Sequence, residues 1–170
     1  MSLGLEQAGF DVVAVEKNPI HAATHERNFP QFKTIAQPVE AVTDIPHAHL
    51  VAGGPPCQGF SVRGKRALDD PRNQMVREFL KKVESIAPQF FLFENVKGLT
   101  QGSCRRVLDE LLEAFTAIGY RSHWLVLDAS QYDVPQKRQR LIILGARRGL
   151  PLPYFPLPST KRFTASDAIA

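Results

Sequence analysis

Residues 53–61 read GGPPCQGFS and frame the most reactive side chain in the sequence. They follow His49-Leu50-Val51-Ala52, a short, mostly apolar run that predicts a strand ending in two glycines. Pro55 and Pro56 keep the backbone extended and supply no N–H, so this loop cannot simply zip into a neighbouring strand. Cys57 is therefore presented at the C-terminal end of a strand, where open α/β sheets bind ligands. Free cysteine often packs as a small hydrophobe. Two glycines, two prolines, a glutamine and a serine make a poor core segment, and the surroundings favour a presented nucleophile.

Two further groups carry chemistry. Glu94 follows the apolar run Phe90-Phe91-Leu92-Phe93 and is expected at that strand's end, on the same sheet edge as Cys57. A carboxyl at the mouth of an apolar strand is partly desolvated, which favours its protonated form and proton donation. The alternative is a glutamate turned into solvent or capping the next segment. The run Gln136-Lys137-Arg138-Gln139-Arg140 leads into another apolar stretch. Arg138 and Arg140, two apart at a strand start, point the same way. Their planar guanidinium groups suit a carboxylate, a base carbonyl or a phosphate, although basic residues also flank hydrophobic strands as gatekeepers.

Elements that would position these groups are legible from periodicity. Residues 1–9 read as a helix capped by Gly9, 11–15 as a buried strand ending at Glu16, and 18–28 as a helix with Asn18 as N-cap and Pro19 in its first turn. A short strand at 33–36 and a loop over 37–48 lead to the strand at 50–53. Residues 61–73 are polar and basic and read as a long mobile loop. Asn73 then caps a helix with Met75, Val76, Phe79, Leu80, Val83 and Ile86 on one face, stopped at Pro88. The strand at 89–93 and a helix at 103–118 follow. Strands at 122–127 and 141–144 come last. Alternating strands and amphipathic helices predict an α/β fold with a doubly wound, mostly parallel sheet. The body is expected to span 1–149. Residues 150–170, with Pro151, Pro153, Pro156 and Pro158, are expected to form a proline-rich linker.

Glu16, an acid at the end of the second predicted strand of the fold, stands where a dinucleotide-type sheet hydrogen-bonds an adenosine ribose. Gly53 and Pro55 line the same edge. His21 and His25 lie four apart in HAATH, a spacing that can bind metal, but the glutamate of the zinc-protease motif is missing. No metal is expected there. The chain has 170 residues, 44% hydrophobic and 22% charged, which suits one soluble domain with a sizeable core. A net charge of +4 permits nucleic acid as a partner without demanding it. Two cysteines argue against a disulfide framework and suit a reducing compartment; no apolar run approaches membrane-spanning length, so the cytoplasm is expected.

The stretch PPCQGFS resembles the nucleophile loop of the DNA cytosine-5 methyltransferases. The triplet Glu94-Asn95-Val96 and the order Pro135-Gln136-x-Arg138-x-Arg140 resemble two further signatures of that family. The resemblance implies that Cys57 attacks carbon 6 of cytosine and that Glu94 contacts and protonates the ring nitrogen. Asn95 would help hold the site, Arg140 would contact the base carbonyl and orient Glu94, and Arg138 would support the site or the backbone. It implies S-adenosylmethionine as cofactor, with Met75 near it beside Glu16, Gly53 and Pro55. Where the family often has an acid that reads the adenine amine, this chain has Gln37-Pro38-Val39, with Glu40 as a candidate substitute. The expected partner is double-stranded DNA with a flipped cytosine. Gln58, Ser61, Arg63, Lys65 and Arg66 are the expected DNA contacts; the basic ones would reach phosphates.

The opening MSLGLEQAGF resembles only the helix that follows the family's glycine-rich cofactor turn. That turn and its strand would precede Met1, and the target-recognition region would follow Ala170. The 170 residues are therefore expected to be the central part of a restriction-modification methyltransferase, inactive alone and weak in cofactor binding. The alternatives are an RNA cytosine-5 methyltransferase and a non-catalytic fragment.

Overall fold

The structure is a computed structural model describing residues 1–45, 47–56, 68, 70–161 and 163–169. The chain divides into two compact units, Met1–Pro46 and His47–Ala170.

The first unit contains α1 (Ser2–Gln7), β1 (Val13–Val15), α2 (Pro19–Asn28) and β2 (Lys33–Ile35). β1 and β2 pair in parallel from Val13 opposite Lys33 to Val15 opposite Ile35. Parallel neighbours need a crossover, and α2 supplies it. Asn18 starts that helix as expected: its backbone is extended and its side chain accepts from Ile20 N at 2.9 Å and His21 N at 3.4 Å. His25 sits between elements, Nδ1 bonding Thr34 Oγ1 and Nε2 bonding Ser2 Oγ, both at 2.9 Å. The second histidine of HAATH thus ties α2 to β2 and α1.

The second unit contains β3 (Leu50–Gly53), α3 (Gln74–Ile86), β4 (Phe90–Val96), α4 (Arg105–Ala117), β5 (Tyr120–Asp128), β6 (Gln139–Arg147) and the short α5 (Ala165–Ile169). Its sheet has the order β3-β4-β6-β5. β3 and β4 are parallel, while β6 is antiparallel to both β4 and β5. β3, β4 and β5 therefore run one way with β6 reversed between them, a mostly parallel sheet. The reversal follows from the connection. Residues 129–138 contain no α-helix to carry the chain back for a parallel return, and an antiparallel neighbour needs none.

One face of this sheet carries the core. Val76, Phe79 and Val83 of α3 and Val107, Leu108, Leu111 and Phe115 of α4 pack on Phe91 and Phe93 of β4 and Leu141 and Ile143 of β6. Phe91 stacks on Phe115 at 4.0 Å between ring centroids, and Phe79 meets Phe93 edge-on at 5.4 Å. Tyr120, at the start of β5, buries its ring and donates its hydroxyl to Pro88 O at 2.7 Å.

Three boundaries differ from the sequence expectation. β4 does not stop at Phe93 but continues through Glu94 and Asn95 to Val96, because its ladder with β6 runs on to Val96 opposite Arg140. β5 and β6 are likewise longer than their apolar runs, paired from Tyr120 opposite Arg147 to Asp128 opposite Gln139. The proline-rich segment is extended, and it lies against the sheet. His123 Nε2 bonds Pro153 O at 2.8 Å, the His123 and Phe155 rings lie 4.8 Å apart, and Ser159 N donates to Gln131 O at 2.7 Å. Among the described residues no helix is long and apolar enough to cross a membrane.

Candidate active site

Strand alternation divides the work of two consecutive residues. In β4, Phe91, Phe93 and Asn95 are buried, whereas Leu92 and Glu94 are only partly so. Glu94 thus lies on the sheet face opposite the aromatic core, and Asn95 lies on the core side.

Glu94 pairs directly with Ile142 in the ladder, and Arg140 pairs with Val96. Glu94 and Arg140 are therefore diagonal neighbours on one face, within reach of long side chains. Arg140 Nε meets Glu94 Oε1 at 2.8 Å, with side-chain exposures of 26% and 29%. Arg140 Nη1 also donates to Gln139 O at 2.9 Å. The pair is partly exposed. Parallel pairing of β3 with β4 ends at Gly53 opposite Phe93, so the chain leaving β3 passes beside Glu94. Glu94 Oε2 would lie 2.6 Å from a Cβ built on Gly54.

Asn95 holds the same loop from the other side. Its Nδ2 donates to Pro55 O at 2.9 Å and its Oδ1 accepts from Val96 N at 2.9 Å. A buried amide with both ends satisfied is worth keeping, because an unpaired one costs about 1–3 kcal/mol. Gly53 has its own constraint, since a Cβ there would lie 2.9 Å from the Phe79 ring. The loop that leads to Cys57 is thus held at Pro55 by Asn95, and at Gly53 and Gly54 a side chain would run into Phe79 and Glu94.

Other candidates are placed as follows. Arg138 precedes β6, where its N–H donates to Asp128 Oδ1 at 3.3 Å and its carbonyl accepts from Ala129 N at 3.0 Å; it does not share the Arg140 ion pair. Met75 is half-buried in the first turn of α3. Glu16, at the end of β1, accepts from Asn18 N through Oε1 at 2.8 Å, with its side chain 37% exposed. A partly exposed carboxylate beside the first turn of α2 fits an acceptor for ribose hydroxyls. Glu40 is exposed in a 3-10 turn, Val39–Ala41. Cys57, Gln58, Ser61, Arg63, Lys65 and Arg66 lie outside the described residues. Among the described residues no group of three His, Cys, Asp or Glu is arranged to hold a metal ion.

One positioning group escaped the sequence reading. Asp128 closes the connection between β5 and β6, accepting from Ser130 Oγ at 2.8 Å, Ser130 N at 3.1 Å and Arg138 N at 3.3 Å. The Ser130 hydroxyl, then the Ser130 N–H, hold its carboxyl below the ordinary 3.8. The Asp-x-Ser spacing is itself a turn signal. Its bond to Arg138, ten residues on, depends on strand pairing. Across the same end of the sheet, Lys97 Nζ donates to Gln139 Oε1 at 2.9 Å.

Comparison with known proteins identifies the family. The family model for C-5 cytosine-specific DNA methylase matches residues 1–169. Type II methyltransferase M.XorII of Xanthomonas oryzae pv. oryzae is 50% identical over 99% of this chain and 43% of its own length. Type II methyltransferase M1.HphI of Haemophilus parahaemolyticus is 38% identical over 99% of this chain and 48% of its own. The chain thus spans about half the length of these curated relatives. A crystal structure of an E. coli prophage protein assigned as a DNA modification methyltransferase superposes with a TM-score of 0.81 at 32% identity, covering 99% of this chain and 50% of that one. A Spodoptera frugiperda DNMT2 mutant shares the Rossmann-like fold with a TM-score of 0.69 at 24% identity, over 90% of this chain and 48% of that one. The chain belongs to the C-5 cytosine-specific DNA methylase family.

Proposed function

We propose that this chain provides the cytosine site of a DNA cytosine-5 methyltransferase of the restriction-modification type, working in the bacterial cytoplasm. The observation that carries the reading is the Glu94–Arg140 ion pair beside Gly54, three residues before Cys57, with Asn95 bound to Pro55 in the same loop.

A cytosine flipped from the duplex stacks its Watson–Crick edge toward Glu94 and Arg140. Arg140 has donors for the base carbonyl and holds the Glu94 carboxyl in place. The Cys57 thiolate forms a bond to carbon 6 while Glu94 protonates ring nitrogen 3, so negative charge does not accumulate on the ring. Electron density then resides at carbon 5. S-adenosylmethionine would supply the electrophilic methyl group, its sulfur–methyl bond breaking as carbon 5 takes the methyl and S-adenosylhomocysteine leaving; Gly53, Pro55 and Met75 would line its place in the second unit, and Glu16 in the first unit would offer an acceptor for ribose hydroxyls. Loss of the carbon-5 proton to a base restores the ring and breaks the sulfur–carbon bond, freeing Cys57. Gln58, Ser61, Arg63, Lys65 and Arg66 contact the DNA, the basic ones at phosphates, and Arg138 supports the site or the backbone.

The test is product identity. With methyl-labelled S-adenosylmethionine and an enzyme of the relatives' full length that contains this chain, duplex DNA acquires 5-methylcytosine and tRNA acquires no label. Label in tRNA alone, or on adenine or the cytosine amino group, overturns the reading.

A further inference from the structure

We infer that Gly54 is a positioning residue for the proposed acid, its missing side chain being what lets the Glu94 carboxylate lie across the nucleophile loop. This rests on the reading of Glu94 as the group that acts on the cytosine ring.

The two adjacent glycines are constrained differently. At Gly53 a Cβ would press on the Phe79 ring at 2.9 and 3.0 Å, so substitution disturbs the aromatic core. At Gly54 it would meet the far end of a flexible side chain, Glu94 Oε2, at 2.6 Å. The Glu94 carbonyl oxygen, at 3.5 Å, is in ordinary contact. Gly54 is exposed, and its backbone is outside the left-handed region that favours glycine. An alanine there therefore leaves backbone and core unstrained, and the carboxylate gives way. The other oxygen of that carboxylate is the one paired with Arg140 at 2.8 Å. Moving Oε2 aside rotates the whole group and breaks the geometry of the pair. One methyl group thus reaches Glu94, Arg140 and the loop carrying Cys57 without altering the fold.

The experiment uses Gly54→Ala, with Gly53→Ala as the variant that loads the core. In ¹⁵N spectra of the protein, the Arg140 Nε–H signal, slowed in exchange by its carboxylate, is lost or shifted in Gly54→Ala. The melting temperature of Gly54→Ala stays within about 2 °C of the parent, as for a surface substitution. Gly53→Ala lowers it. An unchanged Arg140 signal in a folded Gly54→Ala protein overturns the inference whether or not the protein methylates anything. In methyl transfer, Gly54→Ala lowers kcat with KM unchanged, and adding it to Glu94→Gln causes no further loss. Full additivity of the two substitutions would overturn action through Glu94. Absence of methyl transfer from the parent enzyme of full length would instead count against the proposed function, leaving the spectroscopic result to decide the role of Gly54.

Discussion

Glu94 and Asn95 are consecutive, yet one lies on the partly exposed face of the sheet and the other on the core side, and their substitutions should separate cleanly. Glu94→Gln keeps size and hydrogen-bonding capacity but removes the acid, so turnover should fall by about a hundredfold or more. DNA affinity, measured by titration, should change by no more than a few fold. Asn95→Ala should instead cost about 1–3 kcal/mol of stability in denaturant unfolding, because Pro55 O loses a buried donor. Equal, mild effects from both would mean that Glu94 is only a surface charge. Much of this was readable beforehand. The triplet at 94–96 and the arginines at 138 and 140 stood out by residue type; the structure brings Glu94 and Arg140 together, while Arg138 precedes β6 and stays out of the ion pair. Gly54 was not readable. A glycine between a glycine and two prolines looks like turn chemistry, and only the pairing of β3 with β4 brings Glu94 against it.

Residues 129–138, between β5 and β6, deliver Arg140 to its partner, and Asp128 is the clasp of that connection. Its folded-state pKa is depressed, so its contribution is present above the unfolded value near 3.8 and is lost as pH falls through the lower folded value. Thermal melts between about pH 5 and pH 2 should lose less stability in Asp128→Asn than in the parent. Identical acid sensitivity would show that the clasp is idle. The same connection holds Asp133 at φ 61°, the left-handed region that most residues avoid. Asp133→Gly should therefore be neutral or stabilise by up to about 1 kcal/mol, and Asp133→Val should destabilise by about 1–2 kcal/mol. Hydrophobic runs located these strands but misjudged their ends, because the ladders continue through polar residues such as Glu94, Asn95, Asp128 and Gln139. Side-chain type reports burial, and a strand's polar ends lie outside what it can report.

At the level of the whole molecule, stability is distributed unevenly. Every member of the buried cluster lies in the second unit, from Leu68 to Ile143, whereas among the described residues of the first unit only Ala22 and Val42 are buried apolar side chains. Amide exchange should follow that division: β4 and β6 should be protected at least about a hundredfold more than β1 and α2. Uniform protection would mean that the two units gain their stability together. The alternating pattern of strands and helices made the α/β architecture legible, but the weakness of the first unit was not, since Val12 to Val15 reads as a buried strand by composition while Val13 remains 43% exposed. The central claim concerns Cys57, and covalent trapping tests it most directly. Duplex DNA containing 5-fluorocytosine, incubated with S-adenosylmethionine and an enzyme of the relatives' full length that contains this chain, should become attached to the peptide bearing Cys57, because fluorine cannot leave carbon 5 as a proton does. The adduct should vanish in Cys57→Ala and persist in Cys104→Ala. An adduct that forms in Cys57→Ala, or methylation of ordinary cytosine by that variant, would contradict the account.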